Sequence, residues 1–424
     1  MAEYPVRQLF ELASDEPGAI AIGPFGSRMK ADMYVPQGVP VIRGTNIGQD
    51  RSLEGEWVFV TDSFADGIAN CVVKPGDLVF PHRGSIGEVA LIEERHGRMV
   101  LSTSMMKFRA DPQKANSEFL YYFFRSTAGR DEIMRFGSQV GTPGIGQPLT
   151  SLRQFRTPLP PLQIQTAIAE LLGSLDDKIE LNRRTSETLE GMAHAIFRDW
   201  FIDFGPTRRR IEGASDLLNI LGGFVTDPER ASVLADLFPP TLGDDGLPNG
   251  WDFGRVENLM ELAYGKSLTK ENRRDGPFPV YGSGGVTGCH DEALVKGPSV
   301  IVGRKGTVGS VYWEDRDFVP IDTVFYVKSS LPMTFCYYLL QTLGLDGMNT
   351  DAAVPGLNRS NVYRLEVPVA PPELVRAFGE IAGLLRHKVA ANDAEIRTLT
   401  STRDFLLPRL ISGDVRVRTL TASS

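Results

Sequence analysis

Residues 168–196 read IAELLGSLDDKIELNRRTSETLEGMAHAI, and residues 378–406 read FGEIAGLLRHKVAANDAEIRTLTSTRDFL. The first stretch carries Ile168, Leu175, Asn182, Leu189 and Ile196, one every seven residues. The second carries Phe378, Leu385, Asn392, Leu399 and Leu406 at the same interval. The two ladders superimpose at a shift of 210, with the polar residue on the middle rung of both. The same shift carries Pro158 onto Pro368, Pro161 onto Pro371, Glu170 onto Glu380, Lys178 onto Lys388 and Gly146 onto Gly356. A seven-residue apolar repeat forms a narrow stripe that has to be buried against another helix. With two such helices in the chain, the first candidate partner of each is the other.

An internal twofold predicts that they pack antiparallel, with a mixed domain at each end. Five rungs span 28 residues, or about 42 Å of helix. Leu171, Leu172, Ile179, Met192 and Ala193 widen the first stripe; Ile381, Ala382, Val389 and Ile396 widen the second. Asn182 and Asn392 are expected near the midpoint, each able to satisfy the other, where a buried Asn lowers stability but fixes register. Leu175, Asn182, Leu189, Leu385, Asn392 and Leu399 are the predicted register residues. The competing reading has each helix packed on its own domain with the Asn residues partly exposed.

Outward from the helices, the chain divides into a mixed domain (1–157), a helical spacer (158–204), a connector (205–250), a second mixed domain (251–367), a second helical spacer (368–415) and a tail (416–424). Strands are expected at Val39–Ile42, Leu78–Phe80, Glu88–Ile92 and Met105–Arg109, and a short helix at Phe119–Ser126. The long helix is expected over Gln163–Trp200, behind Pro160-Pro161. The connector is rich in turn formers, with a short helix near Asp227–Leu237. Met260-Glu261-Leu262-Ala263 repeats Phe10-Glu11-Leu12-Ala13, and Phe335-Cys336-Tyr337-Tyr338 repeats Phe119-Leu120-Tyr121-Tyr122. The fold class is α/β (α+β): two globular mixed domains joined by two long antiparallel coiled-coil helices.

The 424 residues exceed what one compact core usually holds. No apolar run approaches the roughly 18 residues of a membrane span, and Met1–Phe10 does not read as a secretory leader. Three dispersed cysteines (Cys71, Cys289, Cys336) suit a reducing cytoplasm. A net charge of −8 argues against coating nucleic acid by bulk charge, but not against a local basic surface.

Both mixed domains hold Gly-rich segments bearing Arg, Lys, Ser and Thr. The first has Gly23–Lys30, Arg43-Gly44-Thr45-Asn46 and His82-Arg83-Gly84-Ser85; the second has Tyr281-Gly282-Ser283-Gly284-Gly285 and Gly303-Arg304-Lys305-Gly306-Thr307. Arg and Lys pair with guanine edges and phosphates, and Asn with adenine. Arg43, Thr45, Asn46, Arg83, Ser85, Tyr281, Ser283, Arg304, Lys305 and Thr307 are therefore the candidate DNA-binding residues.

Catalytic signatures fail. Gly265-Lys266-Ser267 lacks the upstream glycine of a phosphate-binding loop, where Met260 stands. Gly282–Gly288 misplaces the third glycine of a dinucleotide fingerprint. His82, His96, His194, His290 and His387 lack metal-ligand spacing, so no metal site is expected. No nucleophile elbow and no Asn/Asp-Pro-Pro-aromatic motif of an adenine methyltransferase is present.

In order, Gly23-Pro24-Phe25-Gly26-Ser27, Pro40-Val41-Ile42-Arg43-Gly44, Gly76-Asp77-Leu78-Val79-Phe80, Gly84-Ser85-Ile86-Gly87, Leu175-Asp176-Asp177-Lys178-Ile179, Phe197-Arg198-Asp199-Trp200-Phe201, Tyr281–Gly288, Gly303–Gly309 and Ile321-Asp322-Thr323 span nearly the whole chain. Together they resemble the specificity subunit of type I restriction–modification enzymes. The resemblance implies a non-catalytic subunit whose two target recognition domains read a bipartite, asymmetric double-stranded DNA site. It implies docking of two methyltransferase subunits, with a translocase/nuclease subunit where one exists. S-adenosylmethionine, ATP and magnesium would belong to those partners, and this chain would hold no cofactor. The alternative is a two-domain protein–protein scaffold with a coiled-coil spacer.

Overall fold

The computed structural model describes residues 4–25, 28–48, 51–138, 143–225, 227–348 and 356–417. Gly26 and Ser27 of the first Gly-rich segment, and the tail from residue 418, lie outside them. The chain forms two compact units, one of residues 1–182 with 394–424, the other Arg183–Asp393. The division falls beside Asn182 in one long helix and beside Asn392 in the other. Each long helix (Leu162–Phe201 and Pro372–Ser412) thus contributes one half to each unit.

The first unit contains β1 (Val6–Gln8), β2 (Ile20–Ile22), β3 (Val39–Ile42), β4 (Val58–Val60), β5 (Asp77–Pro81), β6 (Ala90–Leu91), β7 (Val100–Leu101), β8 (Met105–Arg109), β9 (Gly137–Ser138), β10 (Gly144–Ile145) and β11 (Arg156–Pro158). An antiparallel sheet runs β2-β8-β5-β6. A second sheet runs β4-β3-β7, with β3 antiparallel to β4 and parallel to β7. β1 pairs with β11, and β9 with β10.

The second unit contains β12 (Asp252–Arg255), β13 (Glu261–Tyr264), β14 (Phe278–Gly282), β15 (Gly285–His290), β16 (Ser299–Gly303), β17 (Val311–Glu314), β18 (Val319–Pro320), β19 (Val324–Lys328) and β20 (Glu366–Val369). Its sheets run β13-β19-β16-β17 and β15-β14-β18, with β14 parallel to β18, and β12 pairs with β20. Apart from β9–β10, the strand pairings of the first unit recur one for one. The internal repeat is a repeat of topology.

Local chemistry explains the elements. Helix Ser117–Arg125 starts where the Asn116 side chain accepts the Phe119 N–H (2.9 Å), and it buries Phe119 through Phe124. The buried carboxylate of Asp77 on β5 takes Arg109 (2.6 Å) and Lys107 (3.2 Å) from β8, pinning two central strands together. Where the first long helix begins, buried Gln165 donates to the Pro160 carbonyl and accepts from the Asn116 N–H (2.8 and 2.9 Å), fixing the helix to its domain. The segment after that helix forms helices Gly205–Ile211, Leu217–Ile220 and Pro228–Ala235. The expected helix near Asp227–Leu237 is Pro228–Ala235, and Leu221, Leu234 and Phe238 of this connector join Trp200, Phe201 and Phe378 in the second unit's core.

Within each unit the two helix halves run antiparallel. In the first, Asp176 pairs with Arg403 (2.7 Å), Lys178 with Glu395 (3.4 Å), and Asn182 donates to Glu395 (2.8 Å). In the second, Asn392 donates to Ser186 (3.2 Å), Arg386 pairs with Glu190, and the Phe197 and Phe378 rings lie 5.4 Å apart. Both Asn side chains are 3% exposed. Ile168, Asn182 and Ile196 of the expected ladder are buried, as are Leu172, Ile179, Ala193 and Trp200 beside it, while Leu175 and Leu189 are half-buried. Leu385 and Leu399 are half-buried as well, beside buried Ala382 and Val389.

Each unit locks its domain to its helices with a tyrosine, a carboxylate and an arginine. In the first, Tyr122 donates to Asp176 (2.8 Å), which also holds Arg403. Burial, reinforced by Asp176, pushes the Tyr122 phenol up. Burial alone would weaken the Arg403 charge, but Asp176 and Asp404 outweigh it and raise its pKa. In the second, Tyr338 donates to Glu190 (3.2 Å), the partner of Arg386.

Asp176→Ala should destabilise the first unit by about 3 kcal/mol, because a mostly buried guanidinium and a buried hydroxyl lose their acceptor. Asp177→Ala, whose exposed side chain lies 3.4 Å from Arg51, should cost under about 1 kcal/mol. Urea unfolding checks both, and equal costs would show that the buried lock contributes nothing.

Candidate nucleic-acid interface

In both units the Gly-rich segments gather at corresponding ends of the sheets. The β5–β6 turn carries Arg83-Gly84-Ser85, and the β16–β17 turn carries Lys305-Gly306-Thr307. Each turn is built alike: Gly84 and Gly306 both adopt left-handed φ (78° and 86°), and so do Gly87 and Gly309 (93° and 75°). Such backbone favours glycine because a side chain is strained there. Each turn is also strapped by a downstream segment. Ile145 N–H bonds the His82 carbonyl (2.9 Å), and Leu357 N–H bonds the Arg304 carbonyl (2.8 Å).

Neighbouring segments complete the surface. In the first unit, a Cβ at Gly44 would lie 3.7 Å from Ser85 Oγ, so the loop after β3 touches the β5–β6 turn. In the second, a Cβ at Gly284 would lie 3.7 Å from Thr307 Oγ1, and the Ser283 carbonyl accepts from Ser310 and Tyr312 (2.8 and 3.0 Å). The segments after β2 and β13 approach from the side. Gly23 N–H bonds the Met105 carbonyl (2.8 Å), and Gly265 N–H bonds Val324 (3.2 Å). Lys266, dismissed with its phosphate-loop look-alike, therefore stands exposed beside the predicted loops.

These ends carry cations that are not neutralised by neighbouring carboxylates. Arg28, Lys30, Arg43 and Arg83 in the first unit form no salt bridge among the described residues, and neither do Lys266, Arg304, Lys305 and Arg359 in the second. Other cations are heavily paired; Arg51 alone meets Glu93, Glu118 and Asp177. Next to Arg83, burial holds the His82 ring below its usual pKa, only partly offset by its hydrogen bond with the Thr103 carbonyl (3.1 Å). His82 therefore sits neutral at the base of the turn.

Thr45, Arg83, Ser85, Lys305 and Thr307 are exposed, and Arg43, Ser283 and Arg304 are half-buried. Two expected contacts are corrected. Asn46 is 0% exposed: its carboxamide oxygen accepts the Arg43 N–H (3.0 Å), and its amide donates to the Glu54 and Glu56 carbonyls (2.8 and 3.2 Å). It braces the loop from inside. Tyr281 is 7% exposed on central strand β14 and donates to Glu314 (2.9 Å); burial, with Glu314, pushes its phenol up. Neither side chain is presented to a ligand.

Sequence reading missed Tyr264 and Arg359. Tyr264 ends β13 and is 47% exposed, with Arg304 4.9 Å and Arg359 4.7 Å from its ring centre. Repeat alignment gave no signal for them, because the matching positions in the first unit are not aromatic or basic.

Among the described residues, no group of three or more His, Cys, Asp or Glu is placed to hold a metal ion, and no helix is long and apolar enough to cross a membrane. The surface is one of cations, hydroxyls and open main chain, suited to an extended anion.

The type I restriction modification DNA specificity domain model matches residues 26–191 and 248–374. The HindI specificity subunit of Haemophilus influenzae is 26% identical over 411 residues, covering 82% of this chain and 88% of that protein. The MjaIX specificity subunit of Methanocaldococcus jannaschii is 24% identical over 379 residues, covering 82% and 80%. The crystal structure of the type I restriction–modification S subunit from M. genitalium shares the fold, with a TM-score of 0.59 at 18% identity over 96% of both chains. With both halves of the repeat matched, each over a globular domain and part of a long helix, the chain belongs to the type I restriction–modification DNA specificity family.

Proposed function

We propose that this chain selects the DNA site for a type I restriction–modification complex, each globular domain reading one part of a split, asymmetric duplex sequence. The observation that supports this reading is the recurrence of one topology in both units, each ending in exposed loops whose cations form no salt bridge among the described residues. Shared topology supplies the same way of meeting a groove, and unlike loop residues supply different base preferences. Arg83, Ser85 and Thr45 would contact DNA from the first unit. Lys305, Thr307, Arg304 and Ser283 would do so from the second.

The chain carries recognition and no chemistry. Two methyltransferase subunits would dock on the helices, bringing S-adenosylmethionine, and a translocase/nuclease subunit would bring ATP and magnesium where one is present. The net charge of −8 fits a shared task, in which partner subunits supply part of the attraction to phosphate. A complex that acts on chromosomal DNA would work in the cytoplasm.

Sequencing adenine methylation in a host carrying the complex should reveal one bipartite motif that disappears when this chain is deleted. A motif that persists, or one without two parts, overturns the reading. Lys305→Ala should weaken the second half-site by roughly tenfold or more and spare the first, and Arg83→Ala should do the reverse. Filter binding with each half-site scrambled in turn separates the two; equal losses at both would mean general phosphate contact.

The helices are also proposed to set the gap between the half-sites. One heptad added to each, beside Asn182 and Asn392, keeps the two stripes in register and lengthens each helix by about 10 Å. The methylated motif should then gain roughly three base pairs of spacer. An unchanged spacer removes the ruler role.

A further inference from the structure

Tyr264, Arg304 and Arg359 form a cluster that the first domain lacks. Arg304 Nη1 donates to the Asp322 carbonyl (2.9 Å) and Arg359 Nη1 to the Leu262 carbonyl (3.3 Å), so one amino group of each is fixed by main chain. Both guanidiniums lie over the half-exposed Tyr264 ring, and Arg359 also lies 5.5 Å from the Tyr363 ring. Neither has a carboxylate within salt-bridge distance among the described residues. Two like charges held on one ring repel each other, and a ring quadrupole offsets only part of that cost. An arrangement of this kind is at its most stable when an anion sits against it.

The strand-for-strand repeat identifies the matching positions in the first unit. Tyr264 precedes Gly265 as Ile22 precedes Gly23. Arg304 corresponds to His82, since both carbonyls receive the strap, and Arg359 lies two residues past Leu357 as Gln147 lies two past Ile145. Isoleucine, a neutral histidine and glutamine therefore stand where the second domain has tyrosine and two arginines.

We propose that Arg359 and Arg304, seated on Tyr264, form a phosphate clamp in the second domain, and that this domain supplies the larger share of sequence-independent grip on the duplex. The proposal rests on the DNA-reading function above. Arg359 is a phosphate-contacting residue, and Tyr264 positions it. A planar guanidinium already oriented by a carbonyl and a ring presents its remaining donors to a phosphate oxygen with little further ordering.

The test uses the full chain assembled with its methyltransferase subunits and a random-sequence 40-base-pair duplex, titrated with potassium chloride. For the wild-type complex, log affinity should fall steeply with log salt concentration. Arg359→Met should flatten that slope by about 0.9, the value of one phosphate contact, and weaken binding several-fold at 0.15 M salt. Tyr264→Leu should weaken binding while both charges remain. Arg359→Lys, which keeps the charge, should keep the slope, and Gln147→Ala in the first unit should change neither quantity. A wild-type slope in Arg359→Met overturns the clamp while leaving DNA reading intact. Loss of slope in Arg359→Lys as large as in Arg359→Met also overturns it, since damage to the loop would explain both. A wild-type complex that does not bind the duplex in a salt-dependent way overturns the DNA reading and the clamp with it.

Discussion

Pairing of two long helices within each unit is the constraint on which the rest of the structure depends. Neither heptad stripe is wide enough to be stable alone in water, and each half-helix finds its partner on the other long helix. The pairing is made specific by polar groups placed inside it. Asn182 and Asn392 are almost fully buried on the middle rungs, with amide bonds to Glu395 and Ser186. A slip along the stripe would preserve most apolar contacts but break those bonds, so the costly residues are the ones that define position. The domains inherit that definition, because Tyr122 and Tyr338 attach them to carboxylates on the same helix surfaces.

What the sequence revealed, and what it hid, follows from the range of each interaction. Heptad spacing is local and periodic, so the helix bounds predicted from Pro160-Pro161 and the apolar stripe came within one residue of Leu162–Phe201. Strands β3 and β8 were legible for the same reason. The connector's short helix was legible near Asp227–Leu237, but its many turn residues hid that Leu221, Leu234 and Phe238 enter a core. Asn46 and Tyr281 misled because residue type does not report orientation. Asn46 is turned inward to serve three main-chain groups of its own loop, and Tyr281 lies on a strand flanked by a neighbour on each side. Arg359 was invisible for a further reason: its significance comes from Tyr264, 95 residues away in sequence.

An acidic protein meets a polyanion by arranging its charges, without a change of sign overall. Elsewhere some carboxylates are matched by arginines, as at Arg51, Arg98 and Arg109. On the loops that close the β5–β6 and β16–β17 turns, Arg83, Arg304 and Lys305 form no salt bridge among the described residues. Field falls off within about 8 Å at physiological salt, so a surface of this kind is felt by a ligand in contact and hardly at all by one at a distance. Contact-range attraction favours a reader that discriminates over one that coats, and it leaves long-range attraction to whatever binds alongside.

The two polar locks are chemically alike but not interchangeable, and this bears on how one chain keeps two unlike domains in order. Asp176 in the first helix matches Arg386 in the second under the 210-residue shift, so the same position carries opposite charge. Asp176 faces Arg403, whereas Arg386 faces Glu190. Two first halves laid together in this register would set Asp176 against Ala193, the match of Arg403, with the Glu190 carboxylate one turn away. Two second halves would bring Arg386 against Arg403. The first self-pairing leaves Asp176 without its arginine and the second sets two arginines against each other, each in a mostly buried seam at a cost of several kcal/mol, while the pairing of a first half with a second satisfies both. The repeat that gives the protein its symmetry is therefore broken at the positions where symmetry would permit the wrong halves to meet.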